Sequence, residues 1–442
     1  MLTMRWPTWW QLLVVLQARS LAQSITPTVC EEDACRCDSF TRVICNCTRD
    51  YDDMTLRPDG AYRVPTMTSA IIIDGCARVT FLPETVKNLI QLRSVEIRNV
   101  QSVNINEQAL VWSPYSRDSE MNPGIRLIIH NSTVTEIASH AVQGRFDDIL
   151  ISDSKISVIK PFAFSSLNGV KNIDLSRNTF NHIETQAFKK FTTINFFLRG
   201  GAIKTLPSRF LSDMEVTNLF QMDGVHVNNL HSLTFLVSSP KRVLIENNNI
   251  DLLTGDAFHM VTRGPITFRN NTVKIMSKGA FLGFTVHPEV TSTFGAQELL
   301  IDNNTVTELT PASLVYNRTT LTMRVDGLNV NVSCVCDLAE EWRVLLKEQG
   351  TVRCWYALDN HYVSLPTYMD SRCGAFKQNY WIFIVIGVVL VFMVAAVVII
   401  VIVRRERERK KKIQIVMPDG KTYRETEFHI VVERAELLTT DL

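Results

Sequence analysis

Between Cys76 and Cys334 the sequence has no cysteine, so no disulfide can brace that long stretch and its fold must rest on apolar burial. There is no excess of one charge. Of 46 basic and 45 acidic residues, the 39 from Arg404 onward hold 10 and 8, the first 22 hold 2 and 0, and the 34 and 37 that remain leave −3. That balance excludes a basic surface for nucleic acid, and no nucleic-acid partner is expected. Motifs for chemistry are absent too. The nine histidines are scattered, with no H-E-x-x-H, no G-x-S-x-G and no phosphate loop, so neither an enzyme nor a bound cofactor is expected. His130 and His140 read as surface residues rather than metal ligands.

What is present first sets the compartment. Arg5, an apolar run from Trp9 to Leu16 and the small residues Ser20 and Ala22 predict a signal peptide over 1–22. The run is too short to span a bilayer, which takes about 20 residues. Trp381 to Val403 is long enough and carries no charge, and RRERERKKK follows at 404–412. A basic cluster marks the cytoplasmic side, so the chain is expected to be a type I plasma-membrane protein with its N-terminus outside. Tyr380 and Trp381 are placed as interfacial anchors.

All ten cysteines precede the span. Cys30, Cys35, Cys37, Cys45, Cys47 and Cys76 form one cluster and Cys334, Cys336, Cys354 and Cys373 the other. Even numbers in an oxidising compartment predict disulfides, with zinc as the rival reading of the Cys-x-Cys pairs. Glycosylation sequons at Asn46, Asn131, Asn270, Asn303, Asn317 and Asn331 agree with export.

The middle of the chain repeats. Apolar-x-apolar pairs begin at Ile71, Val95, Leu127, Ile149, Ile173, Phe196, Leu219, Val243, Ile266, Leu299 and Met323, mostly 22 to 24 residues apart, with two long intervals of 32 and 33. Each pair reads as a short strand with one buried face, and later apolar positions return the chain along another side. One unit alone cannot bury its apolar face, so the units must stack. The extra residues of the long intervals, at 111–124 and 284–296, are tolerated insertions or binding loops.

VKNIDLSRNTF, residues 170–180, resembles the leucine-rich repeat pattern L-x-x-L-x-L-x-x-N-x-L. Asn178, Asn248, Asn271 and Asn304 fall on the family's asparagine, whereas Val100, Ser132, Ser154, Gly201, Gly224 and Leu328 depart from it. The cysteine clusters resemble the terminal caps of extracellular members. The resemblance implies an α/β solenoid: a leucine-rich-repeat horseshoe with short parallel strands on the concave face, a mostly irregular convex side, disulfide caps and one transmembrane helix. It divides the chain into a cap at 23–70, about eleven repeats at 71–333, a second cap at 334–373, a juxtamembrane segment at 374–380, the span at 381–403 and a tail at 404–442. It further implies the pairs Cys30–Cys37, Cys35–Cys45, Cys334–Cys354 and Cys336–Cys373. Cys47 and Cys76 are left, and joining them would tie the cap to the first coil.

A residue between the two buried positions of a strand must point outward. In chain order these are Ile72, Glu96, Ile128, Leu150, Asp174, Phe197, Phe220, Leu244, Thr267, Leu300 and Arg324, of which seven are apolar. A solvated face should be polar there, so the row reads as a contact surface. The bland alternative is a register error in the alignment, or a patch covered by neighbours. Asn131, Asn270 and Asn303 all stand four residues after their anchors, so glycans there would line one edge and leave the repeats from Ile149 to Val243 clear. Leu150, Phe197, Phe220 and Leu244 are the expected anchors for a protein partner.

The tail is too short for a domain of its own. Thr440 and Leu442 match a PDZ ligand, and Glu433 with Leu437 and Leu438 an acidic dileucine sorting signal for a clathrin-type adaptor. These readings together predict an adhesion molecule or co-receptor for an extracellular or cell-surface protein. The alternative is a single-pass auxiliary subunit of a channel or receptor complex.

Overall fold

Three straight stretches make one coil of the chain. Arg242–Glu246, Asn249–Leu253 and Phe258–Thr262 are consecutive strands separated by tight turns, and Ile266–Arg269 begins the next coil. In this computed structural model residues 27–38, 41–47, 53–113, 123–337, 342, 350–373 and 380–411 are described. Two units divide the chain, Met1–Met369 and Asp370–Leu442. The first is a parallel-strand β-solenoid. Its first sheet runs from Arg42–Asn46 to Leu321–Ser333, in a register that aligns Val243 with Ile266, Ile266 with Leu299, and Leu299 with Met323.

The remaining sides, expected to be mostly irregular, carry parallel strands as well. Asn249–Leu253 pairs with Thr272–Met276, and Phe258–Thr262 with Phe284–Val286. Coils of nearly equal length and little helix bring backbone N–H and C=O groups level from rung to rung on every side, where they satisfy one another. Val142–Ser152, Phe188–Arg199 and Leu211–Asp223 run unbroken from the third side into the first.

Alternation fills the core. Val243, Ile245, Ile250, Leu253 and Phe258 are fully buried, one or two from each strand of their coil. Phenylalanines stack between rungs: Phe164 on Phe188 at 4.4 Å, Phe235 on Phe258 at 5.2 Å and Phe258 on Phe284 at 5.6 Å. Offset stacks of this kind add to the area term about 0.5–1.5 kcal/mol each.

From Ala70–Asp74 onward, a left-handed residue closes the first side in every rung. Gly75, Asn99, Asn131, Asp153, Gly200, Gly224, Asn247, Asn270, Asn303 and Gly327 all have positive φ, the conformation that glycine, asparagine and aspartate tolerate best. Arg177 is the exception, and Asp153 holds it through two hydrogen bonds of 2.6 and 2.7 Å. The next residue enters the core. Asn248 there accepts the Val225 amide at 2.9 Å through Oδ1 and donates to the Met222 carbonyl at 3.0 Å. Asn271 and Asn304 repeat the arrangement, and Ser132 and Ser154 perform its accepting half for Val100 and Ser132. Gly201 takes that position beside Asn178 because a Cβ would lie 2.0 Å from the Asn178 carbonyl oxygen.

The ends of the first sheet are closed by antiparallel partners. Cys35–Asp38 pairs with Arg42–Asn46, and Gly350–Tyr356, laid along Leu321–Ser333, pairs antiparallel with His361–Ser364. Such hairpins blunt edges that would otherwise recruit another strand. Disulfides join Cys30 to Cys37, Cys35 to Cys45, Cys47 to Cys76, and Cys334 to Cys354. Cys336 and Cys373 are also disulfide-bonded. The insertion at 284–296 contains the short helix Pro288–Phe294. At the other insertion, buried Trp112 donates its indole N–H to the Leu89 carbonyl at 2.8 Å.

In the second unit, Tyr380–Lys411 is one α-helix, and Tyr380–Lys410 is long and apolar enough to cross a membrane. The expected signal peptide at 1–22 lies outside the described residues, as do the tail signals at Glu433, Leu437, Leu438, Thr440 and Leu442.

Candidate protein-binding surface

Strand register decides which side chains share the outward face of the first sheet. Leu150 lies between Ile128 and Asp174, Phe197 follows Asp174, and Leu244 lies beside Thr267. Leu150, Phe197 and Leu244 are half-buried, as is each residue just named with them.

Phe220 is not on this face. It is fully buried, aligned with Phe196 and stacked on it at 5.6 Å. The repeat starts at Phe220 rather than Leu219, so Gln221 occupies the outward position, level with Phe197 and Leu244. The same step moves Gly224 to the left-handed turn and puts buried Val225 in the asparagine column. The signal was readable: Phe220-x-Met222 is an apolar-x-apolar pair and Leu219-x-Gln221 is not. A slip of one residue turns every side chain of a strand to the opposite face.

Polar residues therefore interrupt the apolar row, Asp174 before Phe197 and Gln221 after it. Arg199, which the outward-residue reading passed over, covers the Phe197 ring with its guanidinium 4.1 Å from the centroid and reaches Asp174 at 3.2 Å. It stands three residues after its anchor, on the outward face again, and the same period would have placed it. An open hollow of about 550 Å³ lies alongside, with Ile128 and Leu150 against it, small Ser152 and Ser176 between, and Arg98 and Arg199 among its walls. This surface offers apolar contact beside charges already held in place, which lowers the ordering cost of binding.

Amides stitch both edges. Asn172 donates to Asp148 at 2.8 Å, Asn195 to Asn172 at 2.9 Å and Asn218 to Asn195 at 2.8 Å along the edge where the strands begin. Along the opposite edge are the left-handed turns. Asn131 donates to Asn99 at 2.7 Å and Asn303 to Asn270 at 2.9 Å, all with exposed side chains. Asp153, Arg177, Gly200, Gly224 and Asn247 fill this column in the rungs between. The Asp153 carboxyl is held below its ordinary value by the Arg177 hydrogen bond, partial burial opposing, with the charges of Arg177 and His130 lowering it further. Of the other sequons, Asn46 and Asn331 are exposed, while half-buried Asn317 accepts the Thr319 amide at 3.1 Å.

Residues 147–197 match the leucine rich repeat family model. The matched segment holds Leu150, Asp174 and Phe197. No curated protein matches the chain.

Proposed function

We propose, for a chain whose solenoid fold and family-model match support a leucine-rich-repeat protein, that it is a cell-surface recognition protein, an adhesion molecule or co-receptor, binding another protein through the outward face of its first sheet. Leucine-rich repeats suggest protein partners, and one observation carries the choice of face: apolar side chains at Leu150, Phe197 and Leu244 sit on the sheet side that the core does not use. Phe197 and its Arg199 cover form the centre of the contact. Aromatic and arginine anchors ringed by water-excluding neighbours are where binding energy concentrates.

In this reading the Tyr380–Lys410 helix anchors the chain in the plasma membrane, with the solenoid outside and the basic run at 404–412 inside. Glycans at Asn131, Asn270 and Asn303 border the binding stretch without covering it. Thr440 and Leu442 engage a PDZ scaffold, and Glu433, Leu437 and Leu438 a sorting adaptor.

Capture of surface proteins by the full-length chain displayed on cells tests this. Phe197→Glu and Leu150→Glu should reach the surface and lose a partner that the wild-type chain captures. Undiminished capture by both variants places the site elsewhere. Deleting Leu442 should remove PDZ proteins from the proximity-labelled neighbours of the tail, and their retention refutes that part.

A further inference from the structure

Several charges on the outward face are arranged antisymmetrically about a line between two adjacent rungs. Arg199 and Asp223 occupy equivalent positions in adjacent rungs, the sixth and seventh of the eleven that begin at Ile71, aligned with each other in the sheet, and that line falls between them. Counting outward from that line, the rung of Leu127 is as far on one side as the rung of Leu299 on the other. The former carries Arg126 before its anchor and Ile128 after it, and the latter Glu298 and Leu300. One rung further out, Glu96 and Arg98 on one side correspond to Arg324 and Asp326 on the other.

We infer that this face binds a second copy of the same chain, related by a twofold axis that runs parallel to the strands between the rungs of Phe196 and Phe220. Such a rotation keeps strand direction, reverses rung order and turns the faces together, so each position meets its mirror rung in the partner. Arg199 then faces Asp223 of the other copy and Asp223 faces Arg199. Arg126 faces Glu298, Glu96 faces Arg324 and Ile128 faces Leu300. An isologous contact needs this self-complementarity, in which i meets j and j meets i.

Register is what makes the match selective. Moving the axis onto the Phe196 rung sets Arg199 against its own copy and Asp74 against Asp326. Moving it onto the Phe220 rung sets Asp223 against its own copy and Asp148 against Glu298. Like charges so placed disfavour both alternatives. With the axis between the two rungs no like charges meet at the positions one before, one after and three after each anchor in the ten rungs from Val95 to Met323, and Asp148, Asp174, Arg242, Glu246 and Arg269 meet uncharged positions. Most of the groups are accessible: the side chains of Arg199, Arg126, Glu298 and Arg324 are 40%, 55%, 45% and 63% exposed, and that of Glu96 is less so at 18%. Their ion pairs within one copy, Arg126 with Asp148 at 3.3 Å and Arg324 with Glu298 at 3.2 Å, become parts of larger networks across the interface.

This inference rests on the proposed binding face, extends it onto and past the rungs whose edge carries Asn131 and Asn303, and specifies its occupant. The test uses two differently tagged full-length copies on the same or on mixed cells, with one tag captured and the other measured. Wild type should self-capture. Arg199→Glu alone and Asp223→Arg alone should each reduce capture by about tenfold or more, as breaking close charge pairs does. The double variant carrying both reversals should recover it, because both swapped contacts reform. Arg126→Glu with Glu298→Arg is an independent swap, needed because Arg199 also covers Phe197. Surface display shows that each variant folds. Absence of wild-type self-capture, single reversals that capture like wild type, or double reversals no better than the singles in both swaps overturn the inference. Loss of a different surface protein on Phe197→Glu, without self-capture by the wild type, would overturn the second copy and leave the binding face standing.

Discussion

Replacing Asn248 by alanine should open the solenoid at one rung. Its side chain is 2% exposed and joins two coils: Oδ1 accepts the Val225 amide at 2.9 Å, and Nδ2 donates to the Met222 carbonyl and to Asn271 Oδ1, both at 3.0 Å. Alanine orphans the Val225 N–H and takes a donor from Met222, while Asn271 Oδ1 keeps the Asn248 backbone amide at 2.9 Å. Two buried groups at about 1–3 kcal/mol each put the loss on the order of 4 kcal/mol. A stacked array can lose one rung before the rest, so the informative measurement is local. Hydrogen exchange at the Val225 amide should speed up by a factor on the order of a thousand, the ratio to which 4 kcal/mol converts. Asn247→Gly is the control, since it removes an exposed side chain and keeps a residue suited to positive φ. Asn248→Ser should recover part of the loss, because Ser154 already accepts the Ser132 amide at 3.1 Å from that column. If Asn248→Ala protects Val225 as well as Asn247→Gly does, the asparagine column is not what closes the turn.

Two more outcomes follow from the same rungs. Phe220→Ala should cost about 3–5 kcal/mol in urea unfolding and Phe197→Ala less than about 1 kcal/mol, since the first empties a core position and the second a half-buried one; equal costs would refute the placement of the two rings. Asp153 titrates below its ordinary 3.8 in the folded chain, mainly through Arg177, so its stabilising contribution is complete above that value and disappears as pH falls through the lower folded value. Arg177→Met should move the Asp153 titration, followed by NMR, up toward 3.8, with a small effect on stability because the pair is solvent-screened. An unmoved titration would mean that Arg177 is not the cause.

The period of 22 to 24, the apolar-x-apolar pairs and the cysteine clusters were enough to predict a stack of coils, because burial repeats in sequence wherever it repeats in space. Asn248, Asn271 and Asn304 announced a buried polar column for the same reason. The outward row was legible only where the period was unambiguous. Leu150, Phe197 and Leu244 face outward, but in NLFQMD two adjacent apolar residues competed for one anchor, and choosing Leu219 carried Phe220 to the wrong face. Strand pairing resolves that choice, since a bulge between Thr193 and Asn195 sets the register that aligns Phe196 with Phe220.

Arg199 could be placed outward by counting, yet its position over Phe197 and against Asp174 depends on contacts between residues in neighbouring coils. The strands on the other two sides are tertiary in the same sense, for their short segments pair only once equal coils lie in register. Composition and period determined what must be buried and that the coils must stack. Register between coils, which no single coil contains, decided which side chains remain outside.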